Sequence, residues 1–419
     1  MIRSLITLTL LLISYFIYGF YLSQNNLVVV PANLKREVGN YFYDYRGITN
    51  VRTELSNGSS SPIEVISEAK AAALDYLFIT DVNQFEHSES LNGYNGNLFL
   101  SVAGEYSFLD SRLLFYDLKP NRPPPSDSAE AHLFFTDILS QKFNAIKDSP
   151  KDTLVVLAHP FNPGPTWTGS FPPGLDGLEI LNPKSVAEKA WARSKLNVIW
   201  SFIIYPFNPR YAFLRLFREP AEELSLWDQL SKERPILAFG GADASARAVP
   251  WANALLKFPS YQTSFEIINN HVLLSSELTG SYAQDKLKIM NALRKGHFYI
   301  SLDLLGDPKG FVSYIEEKDK DKDQAKQGDR QILMGEKIKF TKNLKLVTKL
   351  PVAPKDFFEV VVFKNGEREF ISNSAESVYP LTGPGIYRVA VRVSPTLPLP
   401  EGKKWFTWIY TNNFYVNER

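Results

Sequence analysis

The sequence predicts an α/β domain followed by a smaller antiparallel β domain, with a membrane-spanning helix in front of both. Three observations carry this prediction. An uncharged apolar stretch opens the chain, short apolar runs alternate with helix-like segments from about residue 40 to 305, and period-two strands with turn residues occupy 306–419. A chain of 419 residues is long enough for two or three domains that each bury a core.

The composition is that of an ordinary globular protein. Hydrophobic residues make up 44% of the chain and charged residues 22%, and the formal net charge is +1. This balance gives no overall attraction to nucleic acid, and no nucleic-acid partner is expected. The absence of cysteine removes disulfides, thiolate nucleophiles and cysteine zinc sites. The five histidines lie far apart, none in H-x-H or H-x-x-x-H spacing, which argues against a histidine-rich metal centre.

Residues 1–24 predict a membrane anchor. Arg3 is followed by "LITLTLLLISYFIYGFYL", residues 5–22, which is uncharged and about as long as a bilayer-spanning helix. The next residues, "SQNN", offer no small-x-small cleavage site, so an uncleaved anchor is favoured over a removed signal peptide. With Arg3 on the cytoplasmic side, the rest of the chain would face the periplasm or the extracellular side, although Lys35 and Arg36 weaken this orientation.

The stretch from residue 49 to 83 reads as turn, helix and strand. "SNGSSSP" is turn chemistry, and Ser61 followed by Pro62 is typical of a helix start. The apolar run "LDYLFIT" then ends at Asp81, as a buried parallel strand with a polar residue at its carboxyl end would. In α/β barrels this end of the strand carries the chemistry; the alternative is that Asp81 only caps its strand.

Other apolar runs end in the same way. "LFLSVAGEYSF", "TLVVLAHP" and "PILAFGGAD" bring Glu105, His159 and Asp243 to the ends of predicted strands. Because the strand ends of a barrel converge on one mouth, these residues and Asp81 can share a site. Between them, residues 196–217 are strongly apolar and aromatic but interrupted by prolines. We interpret this segment as core, with a membrane-facing surface as the alternative.

The C-terminal part begins with a charged run. Residues 316–329, "EEKDKDKDQAKQGD", predict a solvated loop. The runs after it, such as "FFEVVVFKNGEREFI" and "GIYRVAVRV", alternate with period two, and "KNGE" predicts a hairpin turn. A small antiparallel β-sandwich is expected for 306–419, with no protein partner assigned to it.

The order of these motifs resembles the PHP family (polymerase and histidinol phosphatase domain). The family's opening motif, H-x-H-[ST]-x-x-S-D-G followed by a helix and a strand ending in T-D-H, is similar to "NVRTELSNG" and "LFITDV" in this chain. Asn50 and Arg52 stand where the two histidines would be, Asn57 where the aspartate would be, and Val82 where the histidine after Asp81 would be. The frame of the motif is kept while its ligands change.

Later positions match the family more closely. Glu105 resembles its strand-end glutamate, His159 the histidine of its H-P motif, and Asp243 the first residue of its closing D-x-H, whose histidine is Ser245 here. The resemblance covers roughly residues 44–305 and implies a distorted (β/α)7 barrel with up to three metal ions in its mouth. "ALRKGHFYISLD" and "WIYTNNFYV" are similar to segments of family members that carry a C-terminal β-sandwich.

The substitutions predict the loss of a multinuclear metal centre. A guanidinium stays protonated at neutral pH, so Arg52 puts a fixed positive charge where the family places a metal ligand. Its repulsion of a divalent ion at about 4 Å is worth several kcal/mol even at an effective dielectric near 20. Arg52 can instead form a salt bridge with Asp81, Glu105 or Asp243 and replace the metal's charge.

Two functions are compatible with these residues. The favoured one is a non-catalytic PHP-like protein without a cofactor, which binds an anionic small molecule or serves as a scaffold. Its ligand-binding candidates are the residues at the altered positions: Arg52, Asn50, Asn57 and Ser245. The alternative is a phosphoesterase with one divalent ion, Mn, Zn or Fe, and metal-bound water as nucleophile. Its candidate ligands are the retained strand-end residues, Asp81, Glu105, His159 and Asp243, of which His159 and Asp81 would also be catalytic.

Overall fold

The computed structural model describes most of the chain. The described residues are 2–31, 42–84, 89–108, 111–117, 128–144, 153–162, 167, 171–172, 174–246, 248–251, 254–257, 259–317 and 330–418. The charged loop predicted at 316–329 lies outside these residues except at its first two positions.

A helix begins where the Ser61–Pro62 signal predicts. In chain order the described helices are α1 (Ile2–Ser23), α2 (Pro62–Ala71), α3 (Ser128–Asn144), α4 (Pro183–Arg193), α5 (Lys195–Ile204), α6 (Pro209–Leu216), α7 (Ala221–Glu233), α8 (Tyr261–Phe265) and α9 (Tyr282–Lys295). Ser61 caps α2, its hydroxyl accepting a hydrogen bond from Glu64 N at 3.3 Å, and Pro62 occupies the first helical position. Asn182 and Asn208 cap α4 and α6 in the same way, each before a proline.

The strands fall into an N-terminal and a C-terminal set. The first set is β1 (Tyr43–Val51), β2 (Tyr76–Ile79), β3 (Gly93–Asn95), β4 (Leu98–Val102), β5 (Gly104–Phe108), β6 (Ser111–Tyr116), β7 (Leu154–Ala158), β8 (Gly177–Leu181), β9 (Leu237–Gly240), β10 (Ala248–Trp251), β11 (Ala254–Lys257), β12 (Ile268–Leu274) and β13 (Phe298–Leu302). The second set is β14 (Val312–Glu317), β15 (Arg330–Leu333), β16 (Lys337–Lys339), β17 (Leu344–Lys349), β18 (Phe357–Lys364), β19 (Glu367–Ser372), β20 (Glu376–Pro380), β21 (Gly385–Ser394), β22 (Thr396–Leu397), β23 (Gly402–Lys403), β24 (Phe406–Thr411) and β25 (Phe414–Asn417).

Two large sheets and the β10-β11 hairpin form the described N-terminal part, and several strand ends of the two large sheets meet. β1, β2 and β4 are parallel neighbours, with β12 antiparallel to β1. The second sheet has the order β5-β6-β7-β8-β9 and is parallel from β7 to β9. Single backbone bridges join the two sheets, Val51 to Ala244 and Val82 to Glu105. The residues that follow β1, β2 and β9 therefore come together, and we call this region the mouth.

A buried asparagine links another pair of sheet edges. Asn270, on β12, accepts a hydrogen bond from Gly240 N at 2.9 Å and donates one to Gly240 O at 2.7 Å. Its side-chain amide thereby satisfies both backbone polar groups of Gly240, the last residue of β9. The mixed α/β architecture agrees with the predicted fold class, while the closed barrel of seven strands stays a prediction.

Most of the described C-terminal strands belong to two sheets that share a core with the N-terminal part, and β22 and β23 form a separate two-stranded sheet. β14, β15, β17 and β20 make an antiparallel sheet, while β16, β18, β19, β21, β24 and β25 extend the large N-terminal sheet. The extension passes from β13 to β24, where Tyr299 pairs with Thr411 and Ser301 with Ile409. The predicted boundary after residue 305 thus separates two parts that are joined by a continuous sheet. The β-sandwich stays a prediction.

The N-terminal helix has the properties of a membrane span. Among the described residues, α1 is the one helix long and apolar enough to cross a bilayer, with 22 residues and a mean hydropathy of 2.0. Only 11% of its apolar window is buried. Length and composition fit either an anchor or a signal sequence.

Residues 196–217 are core on one side only. They form α5 and α6, where Val198, Ile204 and Leu214 are buried as the core interpretation predicts. Leu196 and Trp200, in contrast, are 80% and 36% exposed, because α5 packs on the fold through one face. The interpretation of the whole segment as core is therefore wrong for the outer face of α5.

Candidate functional site

Arg52 follows β1 directly and occupies the mouth. Its backbone N–H donates to Ala244 O at 2.9 Å, and its backbone carbonyl accepts from the Tyr261 hydroxyl at 2.6 Å. The guanidinium donates to both carboxylate oxygens of Glu105, from Nε to Oε2 at 2.6 Å and from Nη2 to Oε1 at 2.9 Å. Nη2 also lies 2.7 Å from Asp243 Oδ1. Arg52 therefore bridges carboxylates from two different strand ends.

The three charged groups are buried, so their pairing is weakly screened. The side chains of Arg52, Glu105 and Asp243 are 5%, 0% and 1% exposed. Burial opposes the charge on Arg52, but Asp243 and Glu105 outweigh it and raise the pKa of the guanidinium. Burial likewise opposes the charge on Asp243, yet Arg52 holds the pKa of this carboxyl below its usual range. Burial raises the pKa of Glu105 against the attraction of Arg52. The guanidinium supplies the positive charge that these carboxylates need in a buried site.

Asp81 holds the turn that follows β1. Its Oδ1 accepts hydrogen bonds from Thr53 N at 2.7 Å and from the Ser56 hydroxyl at 2.6 Å, and its Oδ2 accepts from Thr53 Oγ1 at 2.8 Å. The residue is 1% exposed. Three donors on one buried carboxylate fit the structural alternative for Asp81 rather than the role of a metal ligand.

Glu179, on β8, is a site residue that sequence reasoning missed. Its Oε1 accepts from Asn50 Nδ2 at 2.8 Å, and its Oε2 accepts from Asn182 Nδ2 at 2.9 Å and from His159 N at 3.1 Å. Burial raises its pKa to about 7. Gly241 lies so close that a Cβ there would be 1.9 Å from Oε1. Asn50 is thus engaged with Glu179 instead of being open to a ligand. The single acidic residue in the apolar run "GLEIL" was the available signal.

His159 and Asp243 carry buried polar atoms without hydrogen bonds. Among the described residues, neither ring nitrogen of His159 nor either carboxylate oxygen of Asp243 has a hydrogen-bond partner, since the contact with Arg52 is an ion pair without hydrogen-bond geometry. Both backbones have positive φ, 34° at His159 and 45° at Asp243, which is uncommon for residues other than glycine. Burial lowers the pKa of His159 to about 4, so its imidazole is neutral at pH 7. Strained backbone and unsatisfied buried groups together mark a functional site.

A cleft of about 360 Å³ opens beside these residues. Its lining includes the polar residues Lys184, Glu188, Asp243 and Ser245, and its mainly apolar walls come largely from α5 and α6. Lys184 Nζ lies 3.9 Å from Asp243 Oδ2, and its side chain is 30% exposed. Ser245 therefore lies where the sequence placed it. Asn57 is exposed in the turn after β1 and does not line the cleft, so the structure does not bring it into the site.

The mouth does not fit the metal centre that the family resemblance implies. Of the four retained candidates, Asp81 is held by three hydrogen-bond donors and Glu105 by the guanidinium of Arg52. His159 and Asp243 are left with open polar atoms, and Arg52 already lies 2.7 Å from the latter. Two open ligands beside a fixed positive charge are too few to hold one metal ion firmly. They are also too few for the three ions that the family resemblance implies.

A second group of metal-ligand residue types lies toward the opposite end of β1. Ligand atoms of His271, Asp303 and Asp307 all lie within 4.8 Å of one another. His271 Nδ1 is hydrogen-bonded to Asp44 Oδ1 at 2.8 Å, and its Nε2 lies 3.8 Å from Asp307 Oδ1. Arg46 Nε is 2.7 Å from Asp303 Oδ2, so part of the negative charge is already balanced. The geometry allows a divalent ion here, and sequence reasoning did not identify this group.

Comparisons with known proteins show distant likeness only. No protein-family model and no curated protein matches the chain. Among the similar solved structures is a two-domain protein from Bacteroides vulgatus described as containing a predicted PHP-like metal-dependent phosphoesterase, with 12% identity, a TM-score of 0.39 and coverage of 92% of this chain and 98% of that one. A Bifidobacterium adolescentis protein described as a metal-dependent phosphoesterase has 14% identity, a TM-score of 0.26 and coverage of 51% and 92%. An amidohydrolase from Chromobacterium violaceum, with bound sulfate and no metal, has 12% identity, a TM-score of 0.25 and coverage of 48% and 87%. Likeness at this level assigns no activity to the chain.

Proposed function

We propose that the chain is a membrane-anchored PHP-like protein that lacks the metal chemistry of the family and binds an anionic small molecule at the mouth. The observation that supports this most is the position of Arg52, paired with both oxygens of Glu105 and 2.7 Å from Asp243. The resemblance implies metal ligands at the two acidic positions. Here a fixed guanidinium balances their charge, and no catalytic ion is needed to stabilise the fold.

The distribution of charge favours an anionic ligand. Glu105 and Asp243 are buried, whereas the side chains of Arg112 and Lys184 are 28% and 30% exposed. Arg112 Nε lies 3.8 Å from Glu105 Oε1, so the two accessible cations flank the central ion pairs. Lys184 and Arg112 are therefore the cations that would hold an anionic ligand, with the carboxylate of Glu188 also in the cleft lining. The neutral imidazole of His159 adds one donor and one acceptor for a bound molecule.

The N-terminal helix supports the location. Anchored through α1, the domain sits at a membrane surface, and the charge of Arg3 favours a periplasmic or extracellular position. An anchor of this kind keeps a binding protein next to its ligand without any further membrane protein.

The alternative function is a phosphoesterase with a single divalent ion. The open polar atoms of His159 and Asp243 favour it, because a buried imidazole and carboxylate without partners are ligand types that divalent metals use. A third ligand would require Glu105 to break its hydrogen bonds with Arg52. A fourth would require Asp81 to break its hydrogen bonds with Thr53 and Ser56.

Metal analysis of the full-length protein in detergent separates the two functions. The protein is loaded with Mn, Zn or Fe ions and desalted, and metal is measured in the wild type and in His159→Ala and His271→Ala variants. We expect His159→Ala to retain as much metal as the wild type, because the mouth holds none. Any ion in the second group is lost from His271→Ala alone. A full equivalent that disappears only in His159→Ala would overturn the proposal and justify a screen of phosphoesters.

Anion binding has its own test. Inorganic phosphate or sulfate should raise the unfolding temperature of the wild type, because an anion that binds only the folded state stabilises it. Lys184→Gln should weaken this effect, while Lys189→Gln should keep it, since Lys189 lies on the same helix but pairs with Glu222 and Glu223 outside the mouth. Equal shifts in both variants would place the anion elsewhere.

A further inference from the structure

The outer face of α5 carries an apolar stripe that the described residues leave partly exposed. Leu196, Ile199, Trp200 and Ile203 recur at helical spacing and are 80%, 43%, 36% and 40% exposed. The opposite face of the helix, with Val198, is buried against the domain. A helix that is apolar on both faces lacks the charged outer side of an ordinary surface helix. The stripe therefore requires an apolar partner.

The end of α1 lies directly beside this stripe. Tyr15 donates its hydroxyl to Ile203 O at 2.9 Å, and the ring of Tyr18 lies 5.9 Å from that of Trp200. Gly19 allows a close approach, because a Cβ there would lie 2.4 Å from the ring of Phe207. The membrane-span candidate and the apolar stripe thus form one continuous surface.

Hydrogen bonds from the next helix fix the end of α1. Asn208 donates to Leu22 O at 2.9 Å and to Asn25 O at 3.0 Å, while its side-chain oxygen accepts from Tyr211 N at 2.9 Å at the start of α6. One buried asparagine therefore ties the carboxyl end of α1 to the domain. The position of α1 relative to α5 is held by polar contacts as well as by apolar packing.

The length of α1 sets the depth of α5. The 22 residues of α1 extend about 33 Å, close to the roughly 30 Å of a bilayer core. Its contacts with α5 begin at Tyr15, and residues 2–14 alone extend only about 20 Å, too short to cross. If α1 spans the membrane, the turns from Tyr15 onward and the α5 stripe beside them lie within the same leaflet. Tyr18 and Trp200 are residue types that favour this interfacial depth.

The cleft opens along the same helix. Val198, Ser201 and Phe202 of α5 line it, as does Tyr205 directly after the helix, and Phe202 is 49% exposed. Lys184, Asp243 and Ser245 line the same cleft, so its apolar walls adjoin polar residues of the mouth. A volume of about 360 Å³ is within the range of small-ligand sites. The shape suits a molecule with an apolar tail and a polar head.

We propose that the α5 stripe lies in the bilayer beside α1 and that the cleft takes a lipid molecule from that leaflet. This inference rests on the proposed anchored, ligand-binding function and names its ligand class, a membrane amphiphile with its tail along α5 and its head group at the mouth. Lys184 lines the cleft together with the carboxylates of Glu188 and Asp243, and this partly exposed cation would hold an anionic head group.

Nitroxide labels test the membrane contact, because the chain has no cysteine and every label site can be chosen. Single Leu196→Cys, Ile199→Cys, Leu5→Cys and Leu287→Cys variants of the full-length protein are labelled in phospholipid vesicles, and collisions with oxygen and with a water-soluble nickel chelate are measured. Leu287 is the matched control, a leucine 61% exposed on α9 between two lysines. The oxygen-to-nickel ratio should be several-fold higher at Leu196, Ile199 and Leu5 than at Leu287.

The outcomes separate this inference from the anchor itself. A low ratio at Leu5 would contradict the anchoring in the proposed function. A high ratio at Leu5 with ratios at Leu196 and Ile199 equal to that at Leu287 would leave the anchor standing and overturn the membrane contact of α5.

Lipid retention tests the cleft. The full-length protein is purified in detergent from vesicles with anionic and zwitterionic lipids, and bound lipid is extracted and identified. Ala187→Trp fills the cleft, and Ala192→Trp on the exposed side of the same helix is its control. Wild type and Ala192→Trp should retain anionic lipid, and Ala187→Trp should lose it. Equal retention in both tryptophan variants, or none in the wild type, would contradict the lipid site.

Discussion

Removing the charge of Arg52 should destabilise the protein strongly at high pH. In Arg52→Gln, Glu105 and Asp243 remain buried but lose the guanidinium that lies 2.6–2.9 Å from their oxygens. Breaking a buried ion pair by removing one partner costs about 3–5 kcal/mol, because it leaves an uncompensated charge. We expect a loss of that size at pH 8.

The loss should shrink in acid. Without Arg52 the pKa of each carboxyl rises, so the folded variant takes up protons that the unfolded chain does not, and its stability relative to the wild type increases as pH falls. Arg112→Gln is the matched control. Its side chain is 28% exposed and 3.8 Å from Glu105, so its removal should cost less than about 1 kcal/mol.

Urea unfolding of the detergent-solubilised chain between pH 5 and 8, followed by tryptophan fluorescence, measures both effects. A double-mutant cycle with Arg52→Gln and Glu105→Gln should give a coupling energy of about 2 kcal/mol or more at pH 8. An Arg52→Gln variant within about 1 kcal/mol of the wild type at every pH would refute the reasoning, because it would show that buried carboxylates tolerate the loss of their partner.

Three further predictions concern the residues around Arg52. The pKa of His159, about 4, lies below its ordinary value, so its titration lowers the free energy of unfolding by up to about 3 kcal/mol as pH falls from 6.5 to 4. The pKa of Glu179, about 7, lies above its ordinary value, so its titration lowers the free energy of unfolding by a similar amount as pH rises from 4.5 to 7. In urea unfolding, the stability of His159→Asn relative to the wild type should therefore increase as pH falls, and that of Glu179→Gln should increase as pH rises toward neutrality. Plots of stability against pH that run parallel to the wild type would contradict both shifts. Gly241→Ala should lose about 3 kcal/mol in the same assay, since its Cβ would overlap the buried Glu179 carboxylate, whereas a loss below about 1 kcal/mol would show that the carboxylate moves freely. Asp81→Asn should cost about 2 kcal/mol, because a neutral amide with one oxygen replaces a buried carboxylate that accepts three hydrogen bonds through two. The retained metal should not change, and a loss of metal would restore Asp81 as a ligand.

Sequence reasoning located the mouth because its logic is topological. Asp81, Glu105 and Asp243 each close an apolar run, and the carboxyl ends of such strands meet at one edge. Of the three carboxylates considered as partners for Arg52, the structure pairs two and assigns Asp81 to Thr53 and Ser56 instead. The sequence could not separate these cases, because turn geometry decides which carboxylate faces the guanidinium.

The role of Glu179 and the exposure of the outer face of α5 could not be predicted from hydrophobic periodicity. Glu179 lies inside an apolar strand. It is a site residue because its side chain accepts hydrogen bonds from Asn50 and Asn182, which the local sequence pattern does not reveal. The outer face of α5 is apolar like a core face, so composition alone placed it inside. Exposure of Leu196 depends on packing between distant segments, which a single sequence does not encode in its local pattern.

The measurement that tests the central claim most directly is a crystal structure of the full-length protein grown with manganese, with anomalous scattering used to locate the ion. The claim predicts no anomalous peak at the mouth and a guanidinium of Arg52 within hydrogen-bond distance of Glu105. A peak at His271 would be compatible with it, because that group lies elsewhere. A peak bound by His159 and Asp243, with Arg52 displaced from Glu105, would contradict it and establish a metal centre.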